Sequence, residues 1–503
     1  MSYLWLNQRS NILSAFVAVV GMSCASLARA DVKPVTLVLK RDVVSMAEVA
    51  GSDGQSRLAA IVADASKPHP KRQLLWLKKQ GANLIIAGEQ ALSSDDGAFD
   101  VCRLHGPKAP AEILTLRPDG VYRLGTKTPL AATDNIFAQP SDDSVPRVHL
   151  CFQLFRGEAP ALVVPSLGHL QVFRSKDDGA TYQRYVRLTQ TANANYNWTS
   201  TALRGEQLET TQLISVRLDF PAITALDFDG DGRIDLCLSR GESLQCYLQG
   251  SGGFTESQQK TFFFPVRSDA ERQQQSIRTI GQLVELEKGV LPVYIVSKTE
   301  WNVSDMHTTV YIFRQAKAGG FIGKPGQIIS RKGYFAYQEY LDLDGAGRKD
   351  LVAPVAALGW SDLMSIYLAK AADIDFVRYK NQDGTFATQP EDLHSLSFPV
   401  DFKRLTSVLG SLPLWQIRLP NKEADVSGHD VAFFPAKEAI DLVRLQKRDG
   451  ALVGVPLGHI PVTVGSEVIA SDLDGNGINE IIFTWPREPG QQNKVVMVDL
   501  KDL

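Results

Sequence analysis

The stretch DFDGDGRIDL, residues 227–236, puts acidic side chains at positions 1, 3, 5 and 9 around glycines at 4 and 6. Two more stretches repeat the pattern: DLDGAGRKDL from Asp342 and DLDGNGINEI from Asp472. Carboxylates crowded this way repel one another unless a positive charge sits between them. Calcium suits the demand, as a hard cation that takes about six to eight oxygens at about 2.3–2.6 Å. Glycines at 4 and 6 let a short loop fold back so that alternate side chains converge. The first loop then offers Asp227, Asp229, Asp231 and Asp235, with the carbonyl of Arg233. The third offers Asp472, Asp474, Asn476 and Glu480, with the carbonyl of Ile478. The middle loop offers Asp342, Asp344 and Asp350, with the carbonyl of Arg348. Its position 5 is Ala346, which has no side-chain oxygen, so it is expected to bind most weakly.

An EF-hand begins similarly but needs a bidentate Glu at position 12 and flanking helices. Position 12 is Leu238, Ala353 and Phe483, and each loop runs into an apolar strand-like run. The EF-hand and dockerin readings fail. What remains is a calcium loop attached to β-structure, or an ordinary Asp-Gly turn without metal.

Working outward, helical periodicity is scarce. Short β-rich runs are common: VTLVL (35–39), NLIIAG (83–88), ALVVPS (161–166), VYIVS (293–297), TVYIF (309–313), DLVAPV (350–355), EIIFTW (480–485) and VVMVDL (495–500). Gly, Asp, Asn or Pro separates them, which argues a sandwich, barrel or propeller. Internal repetition selects the propeller. A small turn followed by an aromatic recurs at DDGAF (95–99), DDGATY (177–182), GSGGF (250–254), AGGF (318–321) and QDGTF (382–386), with a weaker RDGAL at 448–452. The steps are about 65 to 80 residues, and paired strands precede several of the turns. The unit reads as strand, hairpin, strand, Gly-aromatic turn, strand: one four-stranded blade. A lone blade cannot bury both faces, whereas a ring of blades buries them and protects the edges. The expected fold is all-β, a β-propeller of about seven four-stranded blades over residues 31–503. The closing blade is expected to borrow VTLVL from the N-terminal side.

These residues carry a resemblance. Residues 228–236 followed by YLQGSGGF (247–254) resemble one FG-GAP or VCBS repeat, the unit of integrin α-subunit propellers and of many exported bacterial proteins. The other acidic loops and the QDGTF turn are similar. The resemblance implies a calcium-bearing, extracytoplasmic β-propeller serving adhesion or ligand binding. Family propellers also occur attached to, or adapted as, carbohydrate-active enzymes.

The N-terminus agrees with export. Arg9, an apolar run from Ile12 to Leu27 and then Ala28-Arg29-Ala30 have the layout of a signal peptide, residues 1–30, cleaved before Asp31. Ser14, Ser23, Cys24 and Ser26 dilute the run below what a transmembrane anchor needs. Lipidation at Cys24 is the alternative, although Gly21-Met22-Ser23 is a poor lipobox. No later segment is long and apolar enough to span a bilayer, and the expected location is periplasmic or secreted. Beyond the signal lie Cys102, Cys151, Cys237 and Cys246, an even number that suggests two disulfides. With Gly241-Glu242 in a type II′ turn, Arg240 faces Ser243 and Cys237 faces Cys246. A non-hydrogen-bonded pair brings the Cα atoms to about 4.5 Å, inside disulfide range. Cys102–Cys151 follows by elimination, with free thiols as the alternative.

A net charge of -3 and the lack of a long basic run argue against nucleic acid. There is no H-E-x-x-H, G-x-S-x-G or phosphate loop, and the eight histidines are scattered. The chain therefore reads as a non-enzymatic binding or adhesion module for a protein or glycan ligand. The alternatives are a carbohydrate lyase or hydrolase built on a propeller, or a structural subunit of an envelope complex. Ligand-loop candidates are Tyr196, Trp198, Trp301 and Trp360, aromatics on polar segments that can stack on sugars or anchor a protein. Each could equally cover a blade edge.

Overall fold

The computed structural model describes residues 33–501 outside 52–54, 65–70, 135–144, 167, 190–192, 201–211, 220, 275, 302–305, 317–319, 336–337, 357–370, 400–415, 418–430, 436–439, 449–450, 463–466 and 487–489. The segment read as a signal peptide, with Cys24, lies outside these residues, as does Trp360.

Strands dominate, and one helical turn, Asp269–Arg272, is the sole α-helix among the described residues. Seven four-stranded sheets and one five-stranded sheet form, all antiparallel, and all but the closing one are meanders in chain order. In the five-stranded sheet, Tyr334–Phe335 and Glu339–Leu341 both pair with Asp350–Ala356, so it is a four-stranded blade with a broken first strand. We number the blades along the chain: blade 1 (42–91), blade 2 (98–132), blade 3 (151–189), blade 4 (222–263), blade 5 (277–332), blade 6 (334–399), blade 7 (416–460) and the closing blade 8. Blade 8 joins Glu467–Ser471, Glu480–Thr484 and Lys494–Val498 to the N-terminal strand Val35–Val38. Val35 faces Met497, so the N-terminal strand closes the ring as expected.

Among the described residues, apolar side chains fill seven of the gaps between neighbours, among them that between blades 2 and 3, where Leu114 packs with Leu162. Phe99 and Ile113 pack with Ile61 between blades 1 and 2, Leu236 with Leu170 between 3 and 4, and Val296 with Cys237 between 4 and 5. Ile295 packs with Leu351 between blades 5 and 6, Leu442 with Phe483 between 7 and 8, and Leu58 with Met497 between 8 and 1. The molecule is an all-β propeller. Second strands such as Asp350–Ala356, Glu480–Thr484 and Ala161–Ser166 are buried throughout, because blades cover both faces. Such positions call for continuous apolar runs. Fourth strands such as Gly253–Phe263 and Asn83–Ala91 alternate toward solvent and form the rim.

About seven blades were expected from the Gly-aromatic turns. Five of those turns do join third and fourth strands, as between His169–Ser175 and Tyr182–Thr189. DDGAF does not: Ala98–Cys102 opens blade 2, so this turn lies between blades. Blade 1 turns instead through Gly81-Ala82, without an aromatic. The 42–132 stretch therefore holds two blades.

Both disulfides form. Cys102–Cys151 links blades 2 and 3, and Cys237–Cys246 joins facing residues with Cα atoms 4.1 Å apart. Gly241 has φ 49° while Glu242 is not at positive φ, the combination a type II′ turn needs. No helix among the described residues is long and apolar enough to cross a membrane.

Candidate functional site

The three acidic loops occupy equivalent places, each joining the first and second strands of blades 4, 6 and 8. Their backbones are alike. Glycines 4 and 6 take φ of 80° and 85° in the first loop, 68° and 78° in the second, 75° and 84° in the third. Position 2 is an apolar anchor: Phe228, Leu343 and Leu473 are all buried. Position 1 accepts from the turn it encloses. Asp227 takes the N–H groups of Gly230 (2.8 Å) and Gly232 (2.9 Å), and Asp472 those of Gly475 and Gly477 (both 2.8 Å). Asp342 accepts from Gly347 at 2.9 Å, while its Oδ1 is buried without a hydrogen-bond partner. Position 9 opens the second strand and is buried. Asp235 accepts from Phe228 N (2.9 Å) and Gln249 N (2.7 Å), and Glu480 from Leu473 N (2.8 Å).

The loops differ in what faces their acids. In the first, Asp227, Asp229 and Asp235 bring carboxylate oxygens within 4.8 Å of one another. Asp231 turns away to bond Arg233, whose Nε donates to Gln249 O at 2.5 Å. No basic side chain bonds Asp227, Asp229 or Asp235 among the described residues. Burial, reinforced by the Asp229 and Asp231 charges, pushes the Asp235 carboxyl up to about 6 despite its two backbone donors. This donor set is all oxygen, converging and short of positive charge, and it fits calcium.

In the third loop, Asp472, Asp474 and Glu480 gather in the same way. Asn476 Oδ1 accepts from Ile478 N at 2.7 Å. Here a lysine enters. Lys79, on Gln73–Gln80 of blade 1, donates from Nζ to Asp474 Oδ2 (2.7 Å) and Glu480 Oε1 (2.5 Å) and makes an ion pair with Asp499 Oδ2 at 2.7 Å, and its side chain is 3% exposed. Burial alone would lower the Lys79 pKa, but Asp474, Asp499 and Glu480 hold it above the usual lysine value.

In the middle loop the acids turn to Arg378, on Ala371–Tyr379, which is 1% exposed. Its Nε donates to Asp350 Oδ2 at 2.6 Å, and its Nη atoms to Asp344 Oδ2 (3.0 Å) and Glu391 Oε2 (3.1 Å). Asn381 N donates to Asp350 Oδ1 at 2.7 Å. Arg348 bonds Asp383 outside the loop. The donor set left to a metal here is poor.

Sequence reasoning missed Lys79, Arg378 and Asp499, yet a signal existed. Strand side chains alternate, so Lys79 follows the buried Leu75 and Leu77, Arg378 follows Ile374 and Phe376, and Asp499 follows Val495 and Met497 on one face. A charge that ends an apolar face must meet a partner. A third cluster, Asp100 with Cys102 and Cys151, offers no thiolate because the sulfurs form a disulfide.

At the far end of Asp235–Arg240, roughly 17 Å from the first loop, a cleft of about 1130 Å³ opens between blades 4, 5 and 6. Trp301, Tyr334, Phe263, Ile280, Arg267 and Arg278 line it. Trp301 and Tyr334 lie 5.1 Å apart, and Phe263 and Ile280 are 59% and 60% exposed. Glu242 at its floor would be raised by burial, but the N–H and guanidinium of Arg267, the N–H of Val266 and Arg272 hold it below the usual range. Trp301 is thus the ligand-loop candidate that meets other aromatics. Tyr196 and Trp198 lie on Asn193–Ser200, paired with Gln212–Asp219 in a separate hairpin; their side chains are outside the described residues.

No protein-family model matches the chain, and no curated protein matches it. Solved structures do. The structure of BBS1N in complex with ARL6DN, soaked with lead, is 9% identical, with 93% of this chain and 96% of that chain covered and a TM-score of 0.35. Sqt1 from Chaetomium thermophilum is 12% identical, with 91% and 99% covered and a TM-score of 0.39. The fold described above rests on the strand pairing itself.

Proposed function

We propose that this chain is an exported, calcium-bearing β-propeller of FG-GAP/VCBS type that acts as a non-enzymatic binding module for a protein or glycan ligand. The observation that carries the binding reading is the cleft. Neighbouring aromatic rings, with exposed Phe263 and Ile280 beside arginines, make a surface with the anchor chemistry of recognition sites. Glu242 is the only carboxylate among its described lining residues, and two arginines hold it. Glycoside hydrolysis needs a pair of carboxylates a few ångströms apart, so the lining favours binding over turnover. The signal-like N-terminus and the two disulfides support export to an oxidising compartment. The first acidic loop supports calcium by its donor set, which would hold the turn of blade 4 rigid beneath the cleft.

The test is a glycan array together with a pull-down on residues 31–503, in parallel with Trp301→Ala and Arg278→Glu. Capture that both variants weaken at least tenfold, with melting temperature unchanged, is the expected result. Ligand turnover at this cleft, or capture indifferent to both variants, would remove the reading.

A further inference from the structure

The three loops share backbone, spacing and place in the blade, yet in two of them a buried basic side chain stands where an ion would neutralise the acids. We propose that Lys79 closes the third loop and Arg378 the second in place of a metal ion, so that the chain takes up calcium at the first loop alone. The geometry carries this. The Lys79 ammonium touches Asp474, Glu480 and Asp499 at 2.5–2.7 Å with its side chain 3% exposed. Asp474 and Glu480 each accept one of its protons, and Asp499 adds a third negative charge at 2.7 Å. A divalent ion held by Asp474 and Glu480 would have to sit beside that ammonium and be repelled by it. Arg378 fixes Asp344 and Asp350 likewise, in the loop whose position 5 is already Ala346. In the first loop the residue at Arg378's register position is Cys246, which faces Cys237 and forms a disulfide with it, and the N–H of Gln249 meets Asp235 as that of Asn381 meets Asp350.

The two cations come from different places. Arg378 lies within its own blade, whereas Lys79 reaches from blade 1 into blade 8 and is bonded 401 residues away in sequence. The third loop has thereby become part of the ring's seam.

The inference rests on the calcium reading for the first loop, and one titration separates the two. Residues 31–503, freed of metal and titrated with calcium chloride, are expected to bind about one equivalent, and Asp229→Ala to bind none. In the Asp229→Ala background, Lys79→Met is expected to bring back about one equivalent and Lys79→Arg not to. Two or three equivalents in the parent chain, or no gain with Lys79→Met, would overturn the inference while leaving calcium in place. No binding by the parent would remove the first-loop claim along with the calcium reading. If Lys79→Met fails to fold without metal, its recovery by calcium, read from the melting curve, replaces the count: recovery supports the inference and its lack overturns it.

Discussion

At the scale of the residue, buried charge decides most. Arg378 holds Asp344, Asp350 and Glu391 together, and removing one partner of such a group leaves the others desolvated and unpaired. Arg378→Met should therefore cost about 3–5 kcal/mol of unfolding free energy, read by urea denaturation. Glu339 is the opposite case. Burial pushes its carboxyl from 4.5 up to about 7, and among the described residues no cation offsets it. The folded value lies above the unfolded one, so the folded chain favours the proton. Its contribution is complete below the unfolded value and is lost as pH rises through about 7. The melting temperature should fall between about pH 5 and about pH 8, and Glu339→Gln should flatten that part of the profile. The acids of the loops were legible because their spacing is local. Their partners were not singled out, since Lys79 and Arg378 lie far away in sequence and show only as basic ends of apolar faces.

Turns and hairpins make up the next scale. Counting register outward from Gly241-Glu242 put Cys237 opposite Cys246, and the hairpin pairs them so. That inference needed only a turn type and a period of two. Reduction, or Cys237→Ala with Cys246→Ala, should lower stability by about 2–3 kcal/mol, because the loop closed is short. The Asp-Gly turns follow the same logic. Asp178 and Gly179 both take positive φ, as do Asp383 and Gly384, the pattern of a type I′ turn. A Cβ at Gly179 would lie 2.3 Å from Leu104 O across the blade boundary. Gly179→Ala should then lower the melting temperature by several degrees, beyond the cost of the φ alone. DDGAF has the same letters but sits between blades, since a small turn suits any strand reversal. The motif marks a bend and cannot say which bend, so it does not by itself mark the boundary between blades 1 and 2.

For the whole molecule, the ring is the unit of stability. The repeated apolar runs fixed the fold class, because only a closed circle of sheets covers second strands on both sides. Ligand identity was not legible, since the proposed recognition surface gathers Trp301, Tyr334, Phe263 and Arg278 from three blades. Calcium at blade 4 should stabilise the circle by mass action, by about 2.7 kcal/mol at a hundredfold excess over Kd. EDTA should lower the melting temperature, calcium should restore it, and magnesium should not. An unaltered curve in all three conditions would count against bound metal.

The seam has a consequence for biosynthesis. Val35–Val38 finds its partner in Lys494–Val498, and Lys79 finds two of its acids at Glu480 and Asp499. A growing chain can complete its middle blades early, but its two free sheet edges stay unsatisfied until Lys494–Val498 has been made. Those edges are templates for stray pairing. A copy under synthesis is thus most exposed to misassembly before Lys494–Val498 emerges, and a helper that shields strand edges would be needed at that stage rather than at the start.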